Sequence, residues 1–264
     1  MLQIRMLSSE EICVPVEEIH DVRALNRHLH QLRGFPLGSR QRFLLHGERL
    51  EDAFKLDSPM DLDVVLLQFV EVSQEQVHDL VQAANEGSMA KVESSLQLPQ
   101  DPDLSLDDGC TALIAASYAG HVEVVSLLLQ AGADTDLADT DSCTALMAAS
   151  YAGHIEVVSL LLQAGAAMDL ADSSGVTSFS FACGEGHLEV VGLLLREDAN
   201  IDLADGDGIT ALIAASDAGR VEVVRLLLQA DAEKDVADND GRTALMAASN
   251  AGHVEVVRLL QAAG

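Results

Sequence analysis

The stretch TALIAASYAGHVEVVSLLLQAGADTDLAD at residues 111–139 decides the fold, because residues 144–172 repeat it with four changes in 29 positions. The same step continues along the chain. GHVEVV at 120–125 recurs as GHIEVV at 153–158, then as GHLEVV and GRVEVV, and finally as GHVEVV at 252–257. A fixed step of about 33 residues is typical of stacked units, none of which buries its apolar surface alone.

Each copy is predicted to fold as two helices and a turn. In the first copy, residues 111–118 form a short helix rich in alanine, and Gly120 ends it. Residues 122–129 form a second helix that is apolar on most of its surface, so it must pack against neighbouring copies. Aspartate-rich stretches such as 202–208 separate the copies and predict hairpin turns.

The residue that closes the second helix differs among the copies. Gly132 and Gly165 fit the left-handed conformation that ends many helices. The matching residues in two later copies are Asp198 and Asp231, which adopt that conformation at a higher cost. We therefore predict that these two later repeats are locally less stable.

The period and the run T-A-L-I-A-A-S-Y-A-G-H-V-E-V-V resemble the ankyrin repeat, whose signature begins T-P-L-H-x-A. The resemblance covers 108–264 as five repeats, the last of them shortened, and 73–107 resembles a degenerate N-terminal capping repeat. It implies an all-α solenoid that binds a protein on its concave face. Ala or Ser replaces the signature proline, and Ile, Met or Ser replaces the signature histidine, so that histidine's hydrogen bonds across the array are expected to be absent.

The segment 1–72 follows a different pattern. Apolar residues alternate with polar ones at 2–6 and again at 12–16, which predicts two strands. A helix capped by Asp21 is expected to end before Gly34, and further strands are predicted at 42–45 and 64–69. This order of elements indicates a small α+β domain over residues 1–72.

Three segments of this domain resemble ubiquitin-like proteins, namely GFP at 34–36, RFLLHGERLED at 42–52 and LDVVLLQF at 62–69. The resemblance implies a β-grasp fold and an apolar recognition patch. That patch maps to Leu44, Gly47 and Val65. The di-glycine tail used for conjugation is missing, and Glu48 stands where the chain-building lysine would be. The resemblance therefore implies a docking surface for ubiquitin-pathway proteins that is not itself conjugated.

The candidate contact residues of the array occupy one repeat position. Tyr118 and Tyr151, the only tyrosines, precede Ala-Gly-His, a position that faces the concave surface in ankyrin-like arrays. Later repeats carry Gly184, Asp217 and Asn250 there, and Glu185 adjoins the glycine; we predict a protein-binding face formed by Tyr118, Tyr151, Glu185, Asp217 and Asn250. Because the two tyrosine-bearing repeats are near-copies, simple duplication is the alternative explanation of the pair.

The array is strongly acidic. The chain carries a formal charge of −28, and residues 73–264 hold 7 basic and 31 acidic residues. Aspartates recur in three columns: Asp136, Asp169, Asp202 and Asp235; Asp139, Asp172, Asp205 and Asp238; and Asp108, Asp141, Asp207 and Asp240. We predict that the third column forms an anionic ridge that attracts a basic partner, and the charge argues against nucleic acid and anionic membranes. The alternative interpretation is turn-forming aspartate on a solvated face.

The histidines and cysteines do not predict a metal site or a cofactor. Four histidines share one repeat position (His121, His154, His187 and His253), but stacking keeps them too far apart for zinc, so a structural role at the start of the second helix is predicted. Asp238-Asn239-Asp240-Gly241 lacks the closing glutamate of a calcium loop. Four cysteines are too few for a disulfide scaffold, which indicates a reduced, cytoplasmic protein, with the nucleus as an alternative.

The sequence as a whole predicts a non-catalytic scaffold or adaptor. It contains no nucleophile elbow, no H-E-x-x-H and no C-x-x-C, and we expect no enzymatic activity. Two alternatives stay open, because the last repeat is shortened and keeps the apolar residues of an internal repeat. One is a self-associating structural array, and the other is a fragment of a longer protein whose activity lies beyond residue 264.

Overall fold

A computed structural model describes five strands near the N-terminus, residues 72–97 and residues 101–263. The strands are β1 (Leu2–Met6), β2 (Glu11–Val14), β3 (Gln41–Leu45), β4 (Glu48–Arg49) and β5 (Asp61–Leu66). They form one sheet in the order β2-β1-β5-β3-β4, with β1 parallel to β5 and the other pairs antiparallel. The last strand begins at Asp61 rather than at the expected residue 64, and the helix predicted after Asp21 lies outside the described residues.

Twelve helices follow within the described part of the chain, and they come in pairs. The first helices of the pairs are α1 (Gln74–Asn85), α3 (Ala112–Ala119), α5 (Ala145–Ala152), α7 (Ser178–Glu185), α9 (Ala211–Asp217) and α11 (Ala244–Ala251). The second helices are α2 (Met89–Gln97), α4 (Val122–Gln130), α6 (Ile155–Ala164), α8 (Leu188–Arg196), α10 (Val221–Gln229) and α12 (Val254–Ala262). First helices stack on first helices and second helices on second helices, as a solenoid requires.

Side-chain caps fix where the first helices begin. The hydroxyl of Thr111 accepts the backbone N–H of Ile114 at 3.2 Å, and threonine plays the same part before α5, α7, α9 and α11. Ser73 caps α1 in a reciprocal capping box with Gln76. The predicted stop at Gly120 is confirmed, since this glycine ends α3 with φ of +78°.

The predicted left-handed positions after the second helices are confirmed. Gly132 and Gly165 have φ of +91° and +97°, and Asp198 and Asp231 take the same conformation with φ of +61° and +60°. A left-handed residue with a side chain costs about 1–2 kcal/mol. Each hairpin then closes through one antiparallel bridge, such as Ala204 with Thr210, as the aspartate-rich stretches predicted.

One apolar core runs through the stacked helices. Alanines such as Ala112 and Ala116 are fully buried, which lets the first helices approach closely, while Leu113 and Leu128 fill the space between helix pairs. The pattern repeats in each unit, so every repeat completes its core with side chains from its neighbours.

The column of histidines joins neighbouring repeats. The Nε2 atom of His154 lies 3.1 Å from the backbone oxygen of Tyr118, and His121, His187 and His253 make the matching hydrogen bonds. Arg220 takes this role in its repeat by donating from Nε to the Gly184 oxygen. The predicted structural role is therefore confirmed, although the sequence did not reveal that it joins two repeats. No helix in the described residues is long and apolar enough to span a membrane.

The concave groove as candidate functional site

The two tyrosines lie side by side on the surface formed by the first helices. Tyr118 is 54% exposed and Tyr151 is 44% exposed. Their rings stack with centroids 6.4 Å apart, and the edge of Phe181 meets Tyr151 at 5.7 Å. The three rings form an aromatic row along α3, α5 and α7. Large, partly exposed aromatic rings of this kind are common anchors at protein interfaces.

An apolar groove of about 460 Å³ lies beneath the aromatic row. We call it the first groove, and it is lined by Val81, Ile114, Met147, Tyr118, Tyr151 and Phe181, among others. Ile114 and Met147 stand at the position of the ankyrin signature histidine, so the departures from the signature make the floor of this groove apolar. The groove arises from the stacking of four repeats and not from any one of them.

Phe181 is the functional residue that the sequence analysis missed. It occupies the repeat position held by Ala115 and Ala148 in earlier repeats, and its side chain reaches both the first groove and a second one. Its neighbours Phe179 and Cys183 are buried in the core instead. The sequence feature that could have indicated Phe181 is a bulky aromatic residue at a repeat position that is otherwise alanine in the five repeats.

The second groove, of about 320 Å³, lies beyond Phe181. Its apolar lining is Val176, Ile209 and Ile213, and its acidic lining is Glu185, Asp205 and Asp217. One cation, Arg242, also lines it, and its Nε atom is 2.9 Å from a carboxylate oxygen of Asp238. The backbone N–H of Arg242, followed by its side chain, keeps the pKa of the Asp238 carboxyl below its usual value.

The predicted binding face is therefore divided. Tyr118 and Tyr151 line the first groove, whereas Glu185 and Asp217 line the second. Asn250 lies on α11, exposed, and lines neither of these grooves. The five residues share one face of the solenoid but do not form one contiguous pocket.

Two thiols on successive hairpins line the first groove. Cys110 and Cys143 are half-buried, and both also lie near the negative charge of Asp139. Burial raises the pKa of both thiols, and that of Cys143 reaches about 11. Both are therefore neutral at physiological pH and contribute to an apolar wall. With Cys183, they are free cysteines.

The predicted anionic ridge lies at the hairpins. Its members Asp108, Asp141, Asp207 and Asp240, which we call the tip aspartates, are all exposed. Their backbones join the hairpins, since the carbonyl oxygen of Asp141 accepts the N–H of Ser173 at 2.8 Å. The side chain of Asp108 also accepts the N–H of Cys110.

The other two aspartate columns have structural roles. The carboxylate of Asp139 accepts the N–H groups of Asp141 and Cys143, both at 2.9 Å, and thereby shapes its hairpin. Asp172, Asp205 and Asp238 do the same in their repeats. In the column of Asp136, Asp169, Asp202 and Asp235, the first three carboxylates accept an N–H from the following repeat, and Asp103 does the same one repeat earlier. We call Asp103, Asp136, Asp169 and Asp202 the clamp aspartates.

The predicted ubiquitin-like patch falls on the N-terminal sheet. Leu44 lies on β3 and Val65 on β5, two strands that are hydrogen-bonded neighbours. Gly47 lies outside the described residues. Across the described part of the chain, no three His, Cys, Asp or Glu side chains are grouped so that they could hold a metal ion.

Helix pairs joined by hairpins, stacked at a fixed step along the sequence around a concave groove, define a helical repeat protein that binds other proteins. A family model for ankyrin repeats matches residues 80–172 and 179–264. The match covers most of the chain, which therefore belongs to the ankyrin-repeat family. The search of curated proteins found no significant match.

Proposed function

We propose that this chain is a non-catalytic adaptor that binds a protein partner in the concave groove of its ankyrin array. The observation that carries this proposal is the aromatic row of Tyr118, Tyr151 and Phe181 above an apolar groove of about 460 Å³. An exposed apolar surface of this kind, bordered by polar hairpins, is a frequent mark of an interaction site.

The proposed partner is basic along the surface that it presents. The exposed tip aspartates line the hairpins beside the groove, and residues 73–264 carry far more acidic than basic residues. A partner of opposite charge would be drawn to this surface over roughly 10 Å at an ionic strength of 0.1 M. This complementarity favours fast association and selects against acidic partners.

The N-terminal region is proposed as a second docking surface with a ubiquitin-like fold. Two observations support this, namely the segments at 34–36, 42–52 and 62–69 and the sheet order β2-β1-β5-β3-β4 with its parallel central pair. Leu44, Gly47 and Val65 would form the patch that ubiquitin-pathway proteins read. The missing di-glycine tail argues that the chain is not conjugated through this region.

The test is an affinity capture from a cell extract with the full chain as bait. Replacing both tyrosines (Tyr118→Ala with Tyr151→Ala) should abolish capture of the partner, because it removes the exposed rings from the groove. The matched control is Leu137→Ala with Leu170→Ala. These two exposed apolar side chains lie in the hairpins and do not line the groove. The adaptor proposal fails if the tyrosine variant captures the same proteins as the wild type.

The same capture tests the second docking surface. Leu44→Arg should leave the proteins bound by the groove unchanged and release any that bind through the sheet. If this substitution changes nothing in the captured set, the N-terminal region is not a docking surface under these conditions and the corresponding proposal is withdrawn.

A second candidate function is self-association through the last repeat. Val254 is 60% exposed and Met246 is 51% exposed, the former more than any other large apolar side chain among those described. The matching surface of the preceding repeat is covered by the ring of His253, which lies against Gly219, whereas no described residue comes within 4 Å of a Cβ placed at Gly252. A mass that rises with concentration in light scattering is expected if this surface pairs, and a constant monomer mass excludes it.

A further inference from the structure

We propose that the occupant of the concave surface is one extended segment with two different anchors. A bulky apolar side chain fills the first groove, and a lysine or arginine side chain fills the second, with about five or six residues from one anchor to the other. This inference rests on the proposed adaptor function and specifies the chemistry of its partner.

The first groove fits an apolar anchor. Its floor is formed by Ile114 and Met147, and its walls include the neutral thiols of Cys110 and Cys143. No lysine or arginine is among the described residues that line it. Its volume of about 460 Å³ accommodates a large aromatic or aliphatic side chain with part of the backbone that carries it. One carboxylate, Asp139, also borders this groove, but it already accepts the N–H groups of Asp141 and Cys143 within its own hairpin.

The second groove fits a long basic side chain. Val176, Ile209 and Ile213 offer an apolar surface for the methylene stem, and the carboxylates of Glu185 and Asp217 lie where the charged head would emerge. The one cation of this described lining, Arg242, is already paired with Asp238, and Glu185 lies 3.9 Å from Arg220, which is outside the lining. The remaining acidic groups therefore leave the second groove with a net negative charge, complementary to a lysine or arginine.

The register of the repeats sets the spacing of the two anchors. The first groove is centred between the repeats of Ile114 and Met147, and the second is centred between those of Ser180 and Ile213, two repeats further along. Packed helices lie about 8–10 Å apart, so two repeats correspond to roughly 16–20 Å. An extended chain spans this distance in about five or six residues at roughly 3.3–3.6 Å each.

Phe181 separates the two anchors. Its ring lines both grooves and stands edge-on to Tyr151, so it forms a barrier between them. An extended segment crosses such a barrier with a single small residue. A helical segment rises only about 1.5 Å per residue and would need its anchors about twelve residues apart. The anchor spacing of real ligands therefore distinguishes the two conformations.

The experiment is a selection of random displayed peptides, long enough to span both grooves, against the full-length chain. We expect the enriched peptides to share a bulky apolar residue and a lysine or arginine separated by about five or six positions, in either order along the peptide. Enriched peptides that lack either anchor, or that place the two about twelve residues apart, overturn the proposal.

A double variant and its control test whether the basic anchor occupies the second groove. With Glu185→Gln and Asp217→Asn combined, a synthetic copy of the best peptide should bind about tenfold more weakly, and changing its basic residue to alanine should then have little further effect. The matched control is Glu123→Gln with Glu156→Gln, which removes the same charge from exposed sites on second helices. An equal loss in the control pair overturns the assignment of the basic anchor.

The outcomes also separate this inference from the adaptor proposal. The selection can return peptides that need Tyr118 and Tyr151 for binding but lack the basic anchor. Such peptides support the adaptor proposal and contradict the two-anchor inference. A selection that enriches no peptide above background, or only peptides that bind the double tyrosine variant equally well, contradicts both.

Discussion

The clamp aspartates occupy one repeat position but differ in their burial. The clamp aspartates bond the following repeat in the same way, yet Asp103 is more buried than the exposed Asp136. The carboxylate of Asp103 accepts the N–H of Asp134 at 2.9 Å. Burial, with a smaller contribution from the nearby charges of Asp101 and Asp134, raises the pKa of Asp103 to about 6. The same hydrogen bond is therefore made by a carboxyl that titrates close to neutral pH.

The substitution Asp103→Asn tests this at the residue scale. A carboxyl whose folded-state pKa is raised binds more protons when folded, so its contribution to stability is present below about pH 4 and is lost as the pH rises through about 6. The amide oxygen still accepts the Asp134 N–H and carries no charge. The free energy of unfolding of the variant, relative to wild type, should therefore be about 1 kcal/mol higher at pH 7 than at pH 4. This value is reduced because the carboxyl is partly accessible to solvent.

Urea unfolding of both proteins at several pH values measures the effect. The control is Asp136→Asn, whose exposed carboxyl makes the same bond and should show no comparable change with pH. A difference between Asp103→Asn and wild type that stays constant from pH 4 to pH 7 contradicts the expectation.

The second helices end in two different ways. α6 is followed by Gly165, which adopts φ of +97°, and no atom of the described residues lies within 4 Å of the site of an added Cβ. α8 and α10 are followed by Asp198 and Asp231 in the same conformation. Since Gly165 meets no neighbour, the difference among these sites is mainly one of backbone strain.

Replacing the strained aspartates tests this at the scale of the element. Asp198→Gly and Asp231→Gly should each stabilise the protein by about 0.5–1 kcal/mol. Glycine removes the steric cost of the left-handed conformation, and the larger conformational entropy that it loses on folding offsets part of this gain. The reciprocal variant Gly165→Asp should destabilise it by a similar amount. Hydrogen exchange should also be faster in α8 and α10 than in α4 and α6 of the wild type, and slower after each glycine replacement. If the stability of all three variants equals that of the wild type, the aspartates are not strained.

The whole molecule carries its charge unevenly. The array holds 7 basic and 31 acidic residues, and its ion pairs in the described residues are few and exposed on at least one side, as between Arg225 and Glu222. Such pairs contribute little, so the net repulsion among the aspartates opposes the compact stack. The same negative charge would favour binding of a basic partner. The charge would therefore lower the stability of the array and raise its affinity for such a partner.

Salt should reveal this opposition. Raising the sodium chloride concentration should raise the Tm of the full chain by a few degrees, because screening weakens the repulsion, and should weaken binding of the selected basic peptide. Calorimetry and fluorescence anisotropy over the same salt series measure the two effects. Sodium chloride is preferred to sulfate, which strengthens apolar burial in its own right. A Tm that falls with salt would show that attractive pairs dominate.

The repeat, its helices and its turns could be predicted from the order of the amino acids. The fixed step between copies, the threonine before each first helix and the glycine or aspartate after each second helix are local features, and local hydrogen bonds and backbone preferences act on them directly. Tyr118 and Tyr151 were identified for the same reason, since their position within the repeat is local information.

What the repeats build together becomes visible only in the folded stack. Phe181 meets Tyr151 from the next repeat along the chain, and His154 bonds the backbone of a residue 36 positions earlier. The division of the binding face into an apolar and an acidic groove likewise depends on three or more repeats at once. The physical reason is that a groove is a property of the space between stacked elements, and no pattern within a single repeat records which side chains will share it.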